Sequence, residues 1–262
     1  LRSNNEEVSG VFYQQASAKH YDLRRYYPQA ELAGFIEQFW FVDWHLSEQK
    51  VHTQKNLPDP NFHLVIESRR VRVMGPVSKV YAYDMCKQGR VLGVKFKIAS
   101  ILHLLKKPLC EYVDTELPVR DIFGETSEHV LLSLYSCESD RDICNSLSAF
   151  LKNYTTPINI NQSRAVDLCA LIKNDSNIFT VEALSEKSNL SKRTIQRIFN
   201  KYVGLTPKWL IRKYRLHQVL QQFDQGNLDI LDIVSLLEYT DQAHLIRDFR
   251  EVIGVTPGQY VK

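Results

Sequence analysis

The chain has 262 residues, a formal net charge of +3 and 44% hydrophobic residues, enough length and apolar content for one large or two modest packed domains. No run approaches ~18 consecutive apolar residues, and the opening LRSNNEEVSG has neither an apolar core nor a small-residue cleavage site. A membrane span and a secretory signal are therefore not expected, and the protein is placed in the cytoplasm. Five cysteines (Cys86, Cys110, Cys137, Cys144 and Cys169) contain no Cys-x-x-Cys pair. That argues against a disulfide framework and a cysteine-rich zinc centre, and leaves reduced, mostly buried thiols.

FWFVDWHL (39–46) sets Trp40, Val42, Trp44 and Leu46 on one face and Phe39, Phe41, Asp43 and His45 on the other, the period of a strand. NFHLVIE (61–67), RVRVM (70–74) and VLGVKFK (91–97) repeat the alternation. Pro58-Asp59-Pro60, Gly75-Pro76 and the Gln88-Gly89 corner separate them. The period then changes. Ile98 to Lys106 is predicted as a short helix, and Asp140 to Tyr154 as another, with Ile143, Leu147, Phe150 and Leu151 along one side. NYTTPININ (153–161) is polar, contains Pro157 and has no sustained period, so it reads as a linker.

Beyond it the chain is predicted to be helical. Residues 164–174 form a helix through Ala165, Leu168, Leu171 and Ile172. Thr180 caps the next, and Ser191 caps KRTIQRIFNKYVG after a short turn at Ser188-Asn189-Leu190. Helix, turn and second helix make a helix-turn-helix. The layout recurs about 50 residues on, where ILDIVSLLEY (230–239) precedes DQAHLIRDFREVIG (241–254). Both second helices end in the same phrase, Gly204 to Thr206 and Pro207, then Gly254 to Thr256 and Pro257: a terminating glycine, a new cap and proline at the first helical position. Pro207 to Phe223 joins the copies. At 1.5 Å per residue this helix spans roughly 25 Å, a strut able to set two reader helices about one DNA turn apart.

On the first reader helix Arg193, Gln196, Arg197 and Asn200 share one face, opposite Ile195, Ile198, Phe199 and Tyr202. Arginine can bond guanine O6 and N7, and glutamine adenine N6 and N7, each with two parallel hydrogen bonds. For an isolated helix a solvated polar face explains such a pattern as well, but Lys187 to Arg215 carries nine basic residues and no acid. That run repels itself unless an anionic surface neutralises it. Residues 216–262 carry three basic and seven acidic side chains, a net charge of −4. The first motif is therefore expected to supply most of the affinity, and the second, with Gln242, Ala243, His244, Arg247 and Arg250 outward, local specificity.

SKRTIQRIFNKYVGLTPKWLIRKYRL and YTDQAHLIRDFREVIGVTPGQY carry the paired phrases of the AraC/XylS family of bacterial transcription regulators, and residues 164–262 resemble its DNA-binding domain. The resemblance implies a sequence-specific regulator of double-stranded DNA, an activator working with RNA polymerase, whose two helix-turn-helix units enter successive major grooves. It puts base contacts on Arg193, Gln196, Arg197, Gln242, Ala243, His244 and Arg247, to which the face analysis adds Asn200. Phosphate contacts are expected at Thr180, Ser191, Lys192, Lys201, Lys208, Arg212, Thr240 and Arg250. Where the family has glycine before the aromatic of the second turn, this chain has Glu238 before Tyr239, which either avoids a left-handed backbone or tolerates one under strain.

The N-terminal part more distantly resembles the β-rich domain of a subset of AraC-type regulators, implying a sensory or dimerisation role. Trp40, Trp44 and Phe62 suit an effector pocket, although aromatics of this kind also suit the core of a small β domain. His45, His52 and His63 lack a His-x-His pair with a downstream glutamate, so neither metal nor cofactor is expected. The helix through Ile143 and Leu147 suits a homodimer seam or packing on its own sheet. The resulting fold class is α+β: a β-rich domain (1–152) with flanking helices, a linker (153–163), and an all-α domain (164–262). That last domain holds helix-turn-helix units at about 180–203 and 230–253, joined by the 207–223 helix. No catalysis is expected. The rivals are a metal- or cysteine-dependent enzyme or repair protein carrying such a domain, and an anti-activator that binds other regulators.

Overall fold

The computed structural model describes residues 20–47, 50–224 and 229–260, so the first 19 residues of the expected N-terminal domain lie outside the described residues. The alternating segments become strands: β1 (Tyr21–Tyr26), β2 (Ile36–His45), β3 (Val51–Asn56), β4 (His63–Glu67), β5 (Arg70–Met74), β6 (Tyr81–Cys86), β7 (Gln88–Phe96) and β8 (Glu116–Pro118). Six form one sheet in the order β1-β2-β7-β4-β5-β8, while β3 and β6 pair as a separate ribbon. All the pairings are antiparallel.

Both faces of the large sheet are apolar, and each has its own task. Phe39 and Phe41 of β2, Leu64 and Ile66 of β4 and Leu92 and Val94 of β7 are fully buried on one side. There they meet Phe123, Leu131, Ile143, Leu147 and Leu151 from the helices α1 (Arg120–Phe123), α2 (Ser127–Ser133) and α3 (Asp140–Lys152). Arg24 of β1 fixes the start of α3 through Nε to Asp140 Oδ2 at 2.6 Å, and Tyr26 donates to the same oxygen at 2.9 Å. The apolar side of α3 therefore packs on its own sheet and is not available as a dimer seam. Phe62, 3% exposed, belongs to this core and is not among the residues that line the cavity on the other face. Trp40, Val42 and Trp44 point the other way, into a cavity closed by the β3–β6 ribbon.

Glycine makes room for those two indoles. Trp40 lies opposite Gly93, and Trp44 opposite Gly89, in the β2–β7 register. A Cβ on Gly93 would come within 2.6 Å of the Trp40 ring, and one on Gly89 within 2.2 Å of the Trp44 ring. Only a strand without side chains there lets the rings lie against the sheet.

Ile98 to Lys106 is not an α-helix. Ala99 has φ +65°, Ser100 turns its hydroxyl to the Phe35 carbonyl at 2.9 Å, and only a short 3-10 turn forms at Leu102–Leu104. A run this short cannot nucleate a helix against such local bonds. The Ala99 carbonyl accepts Leu102 N at 3.4 Å and also Gln162 Nε2 at 2.9 Å. Gln162 sits in α4 (Ile160–Asn174), which begins earlier than the expected 164 because Asn159 and Gln162 close a capping box.

The helical part follows as α5 (Val181–Ser188), α6 (Lys192–Tyr202), α7 (Pro207–Asp224), α8 (Ile230–Leu236), α9 (Gln242–Ile253) and α10 (Pro257–Tyr260). Its internal duplication is geometric as well as textual. The α5 turn closes with Leu190 N to Ser185 O at 3.3 Å around a left-handed Asn189 (φ 54°); the α8 turn closes with Tyr239 N to Val234 O at 2.9 Å around a left-handed Glu238 (φ 53°). Each reader helix ends at a left-handed glycine, Gly204 (φ 93°) and Gly254 (φ 78°).

Both copies touch the β domain. The first core takes in Ala99, with Ile98 and Val113 packed on it, and the second takes in Leu57 with Val80. Trp209 of α7 donates Nε1 to the Ser78 carbonyl at 3.0 Å, and Lys213 Nζ lies 3.8 Å from Asp59 Oδ2, which Lys95 also holds at 2.9 Å. Two of the five thiols, Cys144 and Cys169, are buried, and burial pushes each up to about 12. Cys86 and Cys110, expected inside, are exposed because they sit on the ribbon's last residue and on a surface turn.

Two outcomes follow for stability. A non-glycine residue in the left-handed region costs about 1 kcal/mol, so Glu238→Gly should raise the unfolding free energy by about 0.5–1 kcal/mol in urea titration; a loss would show that the glutamate side chain contributes to the turn. Burial, with Lys213 nearby, pushes the His217 imidazole from 6.5 down to about 4. The folded chain keeps it neutral while the unfolded chain protonates it. Stability should therefore be full above pH 6.5 and fall by up to about 1.4 kcal/mol per pH unit between 6.5 and 4. Comparing His217→Gln with the natural chain across that window checks it, since the variant should lack this slope.

Candidate nucleic-acid interface

The first reader helix, α6, is positioned from below by its apolar side. Ile195, Ile198, Phe199 and Tyr202 are buried against α4, α5 and α7, and Ser191 caps the helix by accepting from Thr194 N at 3.2 Å. Arg193, Gln196, Arg197 and Asn200 consequently lie on its outer surface, all exposed. Among the described residues none of the four is held in a hydrogen bond or an ion pair. They form one row of donors and acceptors along about two turns, the dimensions of a helix face laid in a major groove.

The surrounding cations divide into two groups. Arg193, Arg197, Lys201 and Lys208 are exposed and have no acidic partner among the described residues. Lys201 lies 5.3 Å from the Tyr202 ring centre. The others are engaged. Lys187 pairs with Asp175, Lys192 Nζ sits 2.6 Å from Glu182 Oε1, and Arg212 Nη1 lies 2.5 Å from Glu251 and 3.6 Å from Asp248. Lys213 is buried at 8% exposure, and Arg215 is stacked between Phe179 and Tyr239 at 5.0 and 4.5 Å. The long helix is thus a structural strut held by charge, not a continuous basic stripe.

Arg212 does something its sequence position alone did not reveal. It reaches from α7 to α9 and, with Arg215 on Tyr239, ties the second reader helix to the strut. Asp248 is the signal that could have found this contact, because it stands among Leu245, Phe249 and Val252 on the buried side of α9 and is only 7% exposed. An acid on an apolar helix face needs a cation from a neighbouring element.

On α9 the outward residues are Gln242, Ala243, Arg247 and Arg250, all exposed, with Thr240 exposed just before the helix. His244 is different. It is half-buried, packs edge-on against Tyr239 at 5.2 Å, and sets Nε2 3.6 Å from Asp248 Oδ2. Its ring belongs to the packing of the turn. The hydroxyls of Thr180 and Ser191 are likewise committed, Thr180 to Ala183 N at 3.1 Å and Ser191 to its cap. The helix N-termini there remain at the surface. Among the described residues no three His, Cys, Asp or Glu side chains converge in a way that could hold a metal ion.

The chain shares these arrangements with known families in two separate stretches. Residues 184–262 match a helix-turn-helix domain family, and residues 24–118 match a domain of unknown function, DUF6597. A probable transcription factor, PqrA of Proteus vulgaris, is 30% identical over 80 residues, covering 30% of this chain and 66% of that protein. An uncharacterized HTH-type transcriptional regulator of Haemophilus influenzae is 27% identical over 95 residues, 36% of this chain and 32% of that one. The chain therefore spans about a third of the length of the Haemophilus relative. Among solved structures, ToxT from Vibrio cholerae O395 aligns with a TM-score of 0.40 and 12% identity over 85% of this chain and 96% of that one. Residues 184–262 thus carry a helix-turn-helix domain of the kind found in AraC-like transcription regulators, and residues 24–118 carry a domain of the DUF6597 family.

Proposed function

We propose that this chain is a cytoplasmic, sequence-specific transcription regulator that reads double-stranded DNA with α6 and α9 and activates transcription through RNA polymerase. The reading rests above all on one observation. Two helices of a duplicated motif each turn an unengaged polar face outward, Arg193, Gln196, Arg197 and Asn200 on one and Gln242, Ala243 and Arg247 on the other. Arg193 and Arg197 suit guanine, and Gln196 and Asn200 suit adenine. Lys201, Lys208 and Arg250, with the helix starts at Thr180, Ser191 and Thr240, suit phosphates. The relatives that share the C-terminal part are named as transcription regulators.

The β domain is the sensor in this reading. Its cavity is the effector site, and its contacts with both helix-turn-helix units provide a route by which a ligand could alter their relative placement. Trp40 and Trp44 line that cavity. Chemistry on a substrate forms no part of the proposal.

DNA fragments selected by the purified chain from random duplexes supply the test. Arg197→Ala should weaken binding of a selected duplex at least tenfold in a gel-shift titration and Arg247→Ala by less, because the second motif has little electrostatic help; the reverse order would overturn the division of labour. Affinity should also fall steeply with salt, and Lys208→Ala should make that dependence shallower by about one unit of slope.

A further inference from the structure

The cavity between the large sheet and the β3–β6 ribbon has a volume of about 160 Å³ and a largely apolar wall that includes Leu23, Trp40, Val42, Trp44, Met85 and Val91. Its charged groups are nearly all neutralised from within. Asp59 is held by Lys95 at 2.9 Å, and Arg72 is paired with Glu67 and Glu116. Arg25 is the exception. Among the described residues no acid pairs with it, and its Nε is buried without a hydrogen-bond partner. Burial draws its pKa down, yet a guanidinium stays charged.

Trp40 stands directly opposite Arg25 in the β1–β2 ladder. Its Nε1 is also buried and also without a partner. Two adjacent N–H groups of residues that line the cavity therefore have nothing to accept from them among the described residues. A half-buried guanidinium with no acid beside it costs stability, and an apolar side chain of similar length would serve packing better. Gly93 is placed so that the Trp40 indole can lie against the sheet beside Arg25. The wall thus spends stability on presenting a donor pair.

We propose that this cavity binds a small organic monoanion, a carboxylate on a flat or slender apolar body about the size of one ring, with the carboxylate accepting from Arg25 and Trp40 Nε1 and the body lying against Trp44 and Val42. One unmatched cation calls for one negative charge. A doubly charged phosphate would leave half its charge unpaired in an apolar enclosure. The size follows from volume, since cavities of about 150 Å³ take a benzene ring. The assignment deepens the sensor reading of the β domain and rests on it for its biological role, but binding itself can be measured without DNA.

Benzoate and hexanoate, each paired with its neutral amide, are titrated into the full chain and followed by calorimetry and by tryptophan fluorescence, to which Trp40 and Trp44 contribute. At least one acid should bind saturably at millimolar concentration or below, and its amide at least tenfold more weakly. Arg25→Met should erase that preference while its Tm, without ligand, equals or exceeds that of the natural chain. Failure of both acids to bind, equal binding of acid and amide, or unchanged acid binding in Arg25→Met overturns the proposal. A lower Tm in Arg25→Met would assign Arg25 a structural role and overturn it too. If Arg25→Met does not fold, the comparison of acid with amide on the natural chain decides alone. Duplex binding by the same preparation is scored separately, so a chain that binds the acid and no DNA refutes the regulator and leaves the site standing.

Discussion

Asp59 leaves the sheet in the loop before β4 and places its carboxylate between Lys95 of β7 and Lys213 of α7, at 2.9 and 3.8 Å. Burial alone would raise its pKa, but the two ammonium groups and His63 hold it well below the usual carboxylate range. Lys213 is in the opposite position, drawn down by burial and supported mainly by Asp59. A lysine at 8% exposure can stay charged only where an acid meets it, so the long helix has one depth and one rotation at which it can dock. Trp209 on Ser78 and Gln162 on Ala99 then fix the direction of approach. This arrangement explains why the two domains have one defined relation, although apolar contacts alone would permit several.

The same constraint reorganises the charge of the chain. Nine cations between Lys187 and Arg215 look like one continuous basic surface in the sequence. In three dimensions the strut turns Arg212 toward the second motif, Lys213 toward the β domain and Arg215 between two aromatic rings. Those three hold the assembly together, and α6 with Lys208 keeps the charge that faces outward. Asp175, Glu182, Glu251 and Asp59 meet Lys187, Lys192, Arg212 and Lys213 and relieve part of the self-repulsion expected of the run.

Where the hydrophobic period was long and capped, the sequence was legible. The reader helices, the cap at Ser191, the terminating glycines and the strands through Trp40, Leu64, Val73 and Leu92 all follow from spacing and turn chemistry, whereas the cap at Asp241 emerges only in the structure. The strands β1, β3, β6 and β8 are not legible in the sequence, because segments such as Val51–Asn56 alternate polar with polar and are ordered by pairing, not by burial. The Ile98 to Lys106 error has the same origin: a run of apolar residues looked helical, and its loop bonds to Phe35 and Gln162 come from distant sequence. His244 shows its contact with Tyr239 only in three dimensions, because the turn brings the two rings together.

The sequence by itself determined which residues form two matched reader helices and which side of each is apolar, since both follow from the 3.6-residue period and from local capping. It also determined that β2 carries apolar residues on both faces. Only the tertiary structure decided what those faces meet: Phe39 and Phe41 a helical layer, Trp40 and Trp44 a cavity with an unpaired arginine. It likewise decided which cations are outward and which are struts. Periodicity reports orientation about one element's own axis, whereas a charge or a cavity is defined by groups that several elements bring together from far apart in the chain.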